Sequence, residues 1–209
     1  MHGRRLPWLE DADLDELAAR RYLIKDGFAG AALALAARVE ALALPSRPGG
    51  LSRSATHHHD PVSRGDDIAW LTQAMTEAGP GPMPALALLW LRFEDLRLRL
   101  NRGAYLGLER FELQAAHYPG AGPGYVRHRD AFVGGPQPNR RMTAILYLNP
   151  DWSPAAGGRL RLHHVDRAPE DVDPVLDRLV LFPSAELDHE VLPTHASRLA
   201  LTAWYYGCA

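Results

Sequence analysis

The residues best suited to hold a metal are His128 and Asp130, two positions apart in GYVRHRD. Side chains alternate between faces of an extended strand, so positions i and i+2 project on the same side. An imidazole and a carboxylate placed in this way can share one cation. A third ligand must come from elsewhere. His189 suits, because it opens the next-to-last strand-like run, whose end can meet the first pair. Two histidines and one carboxylate on one face of an octahedral ion leave three positions open for other ligands. Arg198 follows nine residues after His189. Its planar guanidinium can grip a carboxylate through two parallel hydrogen bonds. Tyr147 falls on a run expected to face the same interior, where its hydroxyl can share that carboxylate. The set describes a metal ion beside a small dicarboxylate.

The other histidines carry less. His57, His58 and His59 are adjacent, so on an extended chain they point in alternate directions and make a poor preformed site. His163 and His164 follow a strand end, and His195 lies in the turn before Arg198; all three read as surface or core residues. His189-Glu190 is followed by Val191-Leu192-Pro193, so the HExxH spacing of a zinc hydrolase is absent.

Two kinds of element must position these groups. Before residue 108 the pattern is mostly helical. Asp13 is the expected N-cap of a helix through Leu14, Leu17 and Ala18, with Glu16 at the capping-box position. Tyr22 to Ile24 reads as a short strand. Ala31 to Leu44 and Met83 to Leu100 read as helices, the second with Leu89, Phe93, Leu96 and Leu100 on one face. Gly49 to Asp67 is polar and turn-rich and reads as a mobile loop. After residue 108 come short β-like runs: Phe111–Tyr118, Tyr125–His128, Met142–Leu148, Gly158–His163, Arg178–Phe182, His189–Leu192 and Arg198–Tyr206. Ile145, Tyr147 and Asn149 are expected to fall on one face. Repeated short strands with Gly, Pro and Asn between them favour a sandwich or jelly-roll barrel over a parallel sheet.

Composition sets outer bounds. The 209 residues suffice for one domain with a sizeable core, with 46% apolar and 23% charged residues. A net charge of -2 offers no basic field for nucleic acid or an anionic membrane. The single cysteine, Cys208, fits a reducing compartment. The start MHGRRLP has no apolar run behind it, and no segment has the apolar length to span a bilayer. A cytoplasmic protein is expected.

From about Arg64 to Tyr206 the chain resembles the prolyl hydroxylases of the oxygen-sensing (hypoxia-inducible-factor) type and their bacterial relatives. The segments that carry the resemblance are RGDDIAW (64–70), YPGAGPGYVRHRD (118–130), ILYLNPDW (145–152), GGRLRL (157–162), DRLVLFPS (177–184) and HEVLPTHASRLALTAWYY (189–206). The resemblance implies an α+β fold: a double-stranded β-helix (jelly-roll) core at about 108–207 with N-terminal packing helices at about 1–107, in one domain. It implies Fe(II), 2-oxoglutarate and O2 as cofactors, supported by ascorbate. The expected activity is hydroxylation of a prolyl residue, at C4, in a protein substrate, with elongation factor Tu as a candidate.

Carried over by position, it implies His128, Asp130 and His189 as iron ligands. Arg198 and Tyr147 would hold the distal carboxylate of 2-oxoglutarate, and Tyr118 would bond near its metal-proximal end. Ile145, Leu160 and Val191 would wall the pocket. Trp204 would flank the entry for the proline. Asp66 and Arg141 would tie the mobile loop to the barrel mouth. Two other activities compete. One is oxidative dealkylation of nucleic acid, which wants a basic groove and stacking aromatics. The other is a non-catalytic jelly-roll metal-binding module, which leaves Arg198 and Tyr147 together unexplained.

Overall fold

The first helix starts earlier than Asp13. In α1 (Asp11–Arg20) the N-cap is Glu10, and its backbone N–H donates to Asp13 Oδ2 at 2.6 Å. Asp13 therefore answers the cap from the third helical position, where a carboxylate also suits the helix dipole. Glu16 pairs instead with Arg20 at 2.6 Å. Strand β1 (Leu23–Asp26) follows, then α2 (Ala31–Leu42), which ends two residues before the expected Leu44. The computed structural model describes residues 9–44, 52–53 (backbone only), 65–73, 83–120, 122, 124–132, 134 and 139–208.

The long helix α3 (Pro84–Ala104) opens on a proline, whose missing N–H costs nothing in a first turn. The free N–H groups of Ala85 and Leu86 donate to the Glu40 carboxylate of α2 at 3.0 and 2.8 Å. Leu86, Leu89, Phe93, Leu96 and Leu100 recur every three or four residues and are wholly buried. The stripe packs on the sheet described next.

Ten further strands are β2 (Ser52–Arg53), β3 (Asp67–Leu71), β4 (Leu108–Tyr118), β5 (Tyr125–His128), β6 (Arg140–Tyr147), β7 (Leu160–His163), β8 (Glu170–Val172), β9 (Arg178–Pro183), β10 (Asp188–Val191) and β11 (Arg198–Gly207). They form two antiparallel sheets, ordered β1-β9-β6-β11-β4-β3-β2 and β5-β10-β7-β8. Stacked face to face, they make a jelly roll.

The larger sheet is buried on both faces, and strand parity divides its side chains. Along β11, Leu199, Leu201, Ala203 and Tyr205 join the core under the helices. Arg198, Ala200, Thr202 and Trp204 face the space between the sheets. Along β6, Met142, Ala144 and Leu146 take the helix side, while Ile145 and Tyr147 pack with Leu160, Leu162, Val180 and Phe182 inside. Asn149 lies past the end of β6 and does not continue that inner face. Its Oδ1 accepts the Leu199 N–H at 2.7 Å and its amide donates to the Pro174 carbonyl at 2.8 Å, pinning the start of β11.

Three strands, β2, β3 and β8, were not expected as such. β8 (EDV) pairs with β7 at the sheet edge, buries Val172 in the core between the sheets, and takes the Tyr22 hydroxyl on Glu170. β3 starts inside RGDDIAW, runs one residue past it to Leu71, and pairs with β4, Trp70 opposite Gln114. Of the expected loop at 49–67, Ser52 and Arg53 are strand, paired with Ile68 and Asp67. The rest of it up to residue 64, with His57, His58 and His59, lies outside the described residues. No helix among the described residues is long and apolar enough to cross a membrane.

Candidate active site

His128 and His189 face each other as direct partners of the antiparallel pair β5–β10, with ring centres 4.3 Å apart. Asp130 lies beyond the end of β5, in a bend, so strand alternation does not place it. The bend does. His128 Nε2 is 3.7 Å from Asp130 Oδ1, and His189 Nε2 is 3.9 Å from Asp130 Oδ2. One ligand atom from each residue falls within 4.8 Å of the others. The Nδ1 of each ring meets a backbone carbonyl, Val126 at 2.8 Å and Leu187 at 3.1 Å. A carbonyl only accepts, so each Nδ1 carries the proton and each Nε2 keeps a lone pair for a metal. The Asp130 carboxylate accepts the Thr143 hydroxyl at 2.7 Å, and Thr143 is linked to Ser184 at 2.8 Å. Burial works against ionisation of Asp130. The positive charge that His189 and His128 can carry, and the Thr143 hydroxyl, outweigh it and hold the carboxyl below its ordinary range.

The opposite end of the same cavity, about 230 Å3 in volume, is set by Arg198. This side chain is 4% exposed, which for an arginine demands a reason. Its guanidinium lies 5.1 Å from the ring centres of both Tyr118 and Tyr147, and its Nε donates to the Gly158 carbonyl at 2.8 Å. The Tyr147 hydroxyl is buried with no hydrogen-bond partner among the described residues. Burial pushes its pKa up to about 12 against the pull of the Arg198 and Arg178 charges, so it stays a donor. A buried cation beside an orphaned donor suits a carboxylate. Ile145, Leu160 and Val191 line the wall between the two ends.

The comparisons with known proteins agree with this arrangement. Residues 113–206 match the 2OG-Fe(II) oxygenase superfamily. Human Egl nine homolog 1 is 38% identical over 148 residues, covering 68% of this chain and 33% of that protein. The chain thus spans about a third of that relative's length. A prolyl-4-hydroxylase of Pseudomonas putida superposes with a TM-score of 0.81 at 35% identity, over 95% of this chain and 98% of the other. The chain belongs to the 2OG-Fe(II) oxygenase superfamily. A prolyl hydroxylase solved with a hypoxia-inducible-factor oxygen-degradation-domain peptide fragment from Trichoplax adhaerens superposes on this oxygenase equally well, at 0.81 and 30% identity, over 93% of this chain and 87% of that one.

The residues present fit the family's Fe(II) and 2-oxoglutarate. His128, Asp130 and His189 form a two-histidine, one-carboxylate donor set with room on one side. Arg198 and the orphaned Tyr147 hydroxyl suit the distal carboxylate of the cosubstrate.

The cavity mouth departs from expectation at one position. Asp66, 1% exposed, and Trp204 line it, but Arg141 does not. Arg141 is exposed and donates to the Cys208 carbonyl at 3.2 Å. Arg140 lines the mouth instead. The cause is a β-bulge: Tyr205 pairs with Met142 but Tyr206 with Arg140, so β6 uses two residues where β11 uses one. One extra residue exchanges the faces of everything beyond it.

Several residues of the oxygenase site escaped the sequence reading. Thr143, Gln114 and Thr202 share parity with Ile145, Tyr118 and Trp204, so strand alternation could have found them. Tyr125, stacked on His128 with centres 3.8 Å apart, lies in a quoted segment. Ser184 and Gly158 lie in such segments too, but they act through contacts between distant elements that spacing does not show.

Proposed function

We propose that this oxygenase hydroxylates a prolyl residue, at C4, in a protein substrate. The observation that carries this reading is the site itself: a metal triad and a dicarboxylate anchor at opposite ends of one cavity, with Trp204 and Tyr118 in its wall. Two solved relatives at 30% identity or more that share this fold over nearly its whole length are prolyl hydroxylases.

Each residue then has a task. The Nε2 atoms of His128 and His189 and the Asp130 carboxylate hold Fe(II). Arg198 and Tyr147 would hold the distal carboxylate of 2-oxoglutarate. Ile145, Leu160 and Val191 keep water from the space between. Trp204 offers a flat face to the substrate ring. When bound, iron with 2-oxoglutarate and O2 supplies the oxidising power, so that one oxygen atom enters the substrate C–H bond and the other enters succinate as CO2 leaves.

We further propose elongation factor Tu as the substrate protein. Incubation of that protein and of a hypoxia-inducible-factor peptide with enzyme, Fe(II), 2-oxoglutarate and ascorbate tests both levels. Mass spectrometry should find one added oxygen on a proline. Succinate released without any hydroxyproline would move the substrate to another class. No succinate under any condition would favour a binding module.

A further inference from the structure

The wall of the cavity mouth carries a chain of contacts that the chemistry above does not use. The Tyr206 hydroxyl accepts from Arg140 Nη2 at 3.0 Å and Nε at 3.3 Å, and donates to Glu112 Oε2 at 2.7 Å. Arg110 lies 3.9 Å from the Tyr206 ring centre and also pairs with Glu112 at 2.9 Å. Burial, with Glu112 as acceptor, pushes the Tyr206 pKa up, so the hydroxyl keeps the proton it donates. Arg140 in turn touches two parts of the site. Its Nη1 donates to the Asp130 carbonyl at 3.0 Å, and its guanidinium stands 4.5 Å from the Trp204 ring centre.

Asp130 is therefore held twice, by Thr143 through its carboxylate and by Arg140 through its main chain. Arginine side chains have many rotamers, and a planar fork is useful only where its plane is fixed. Two of the Arg140 nitrogens reach one tyrosine oxygen, and that oxygen is oriented from its far side by Glu112. The bulge at Arg141 is what brings Arg140 opposite Tyr206.

We propose that Tyr206 is a positioning residue. Its hydroxyl clamps Arg140, and the clamped guanidinium holds both the Trp204 face that meets the substrate ring and the backbone of the ligand Asp130. The substrate part of this inference rests on the prolyl-hydroxylase reading; the clamp does not.

Tyr206→Phe keeps the ring and its packing and removes only the hydroxyl. The Arg140 Nε–H signal in nuclear magnetic resonance, assigned by its loss in Arg140→Lys, reports the clamp without turnover. It should exchange slowly with solvent in the unaltered protein and rapidly in Tyr206→Phe. In the otherwise unaltered protein, Glu112→Gln keeps an oxygen acceptor for the Tyr206 hydroxyl and should retain slow exchange, whereas Glu112→Leu should speed it. Loss of a hydrogen bond to a charged group predicts a rise of roughly tenfold in KM for a prolyl substrate. KM for 2-oxoglutarate and the melting temperature should stay close to wild type. An unchanged Arg140 signal in Tyr206→Phe overturns the clamp. A loosened signal with unchanged substrate KM overturns the positioning role. If the unaltered protein modifies no prolyl substrate, the functional reading falls, and the Arg140 signal still decides the clamp.

Discussion

Gly158 and Arg198 are fitted to each other. A Cβ on Gly158 would come within 2.8 Å of Arg198 Cδ, and the Gly158 carbonyl accepts Arg198 Nε at 2.8 Å. Gly158 also has φ +71, in the left-handed region where other residues are strained. Gly158→Ala should displace the guanidinium and weaken 2-oxoglutarate binding about tenfold, from overpacking of about 1–3 kcal/mol. Arg198→Lys keeps the charge and loses the fork, and should cost about ten- to a hundredfold. Titration of each variant with 2-oxoglutarate, in the presence of a redox-inert metal, checks both. Equal affinity in Arg198→Lys would place the anchor elsewhere.

The metal assignment separates working histidines from bystanders. His128→Ala, Asp130→Ala and His189→Ala should each abolish metal binding and succinate release with the fold retained. His163 pairs with Glu190 at 3.0 Å in a partly exposed position. His163→Ala and His195→Ala should therefore cost no more than about 1 kcal/mol of stability and leave turnover intact. Metal titration and succinate assay side by side decide it. Retained turnover in Asp130→Ala would remove that ligand from the set.

Thr143 and Ser184 are both wholly buried; the Thr143 hydroxyl donates to the Asp130 carboxylate and so accepts from the Ser184 hydroxyl. Thr143→Val preserves shape and deletes the donor. Loss of a ligand's hydrogen-bonding partner lowers metal affinity by roughly ten- to a hundredfold. Thr143→Ser should recover most of that loss. If Thr143→Val binds metal as wild type does, the hydroxyl serves packing alone.

The Tyr147 hydroxyl, with its pKa pushed up to about 12 by burial from an ordinary 10.0, gives a signed pH effect. Above the unfolded value the native state binds the proton that the unfolded chain releases. Stability from this group is thus full below about pH 10 and falls as pH rises toward about 12. Alkaline unfolding followed by circular dichroism should show a shallower decline for Tyr147→Phe than for wild type over that window. Parallel curves would remove Tyr147 as the source. At neutral pH, Tyr147→Phe should weaken 2-oxoglutarate binding while leaving metal affinity unchanged.

The sequence alone determined what local spacing can encode. The strand runs of the core were legible because short apolar runs lie between Gly, Pro and Asn turns. The metal and anchor residues were legible because few chemistries need His-x-Asp, a distant His and an Arg nine positions on. The tertiary structure decided what depends on contacts between distant segments. Asp130 meets the histidines through a bend rather than along a strand. Arg140 rather than Arg141 faces the cavity, because a bulge against β11 shifts the parity, and pairing with another strand is invisible in local pattern. Glu10 rather than Asp13 is the cap, and Asp13 answers it from the third helical position, a reciprocal pair that two acidic residues three apart can form in either reading. The room for Arg198 above Gly158, and the absence of a partner for the Tyr147 hydroxyl among the described residues, are properties of a cavity between two sheets. They exist only once both sheets have folded around it.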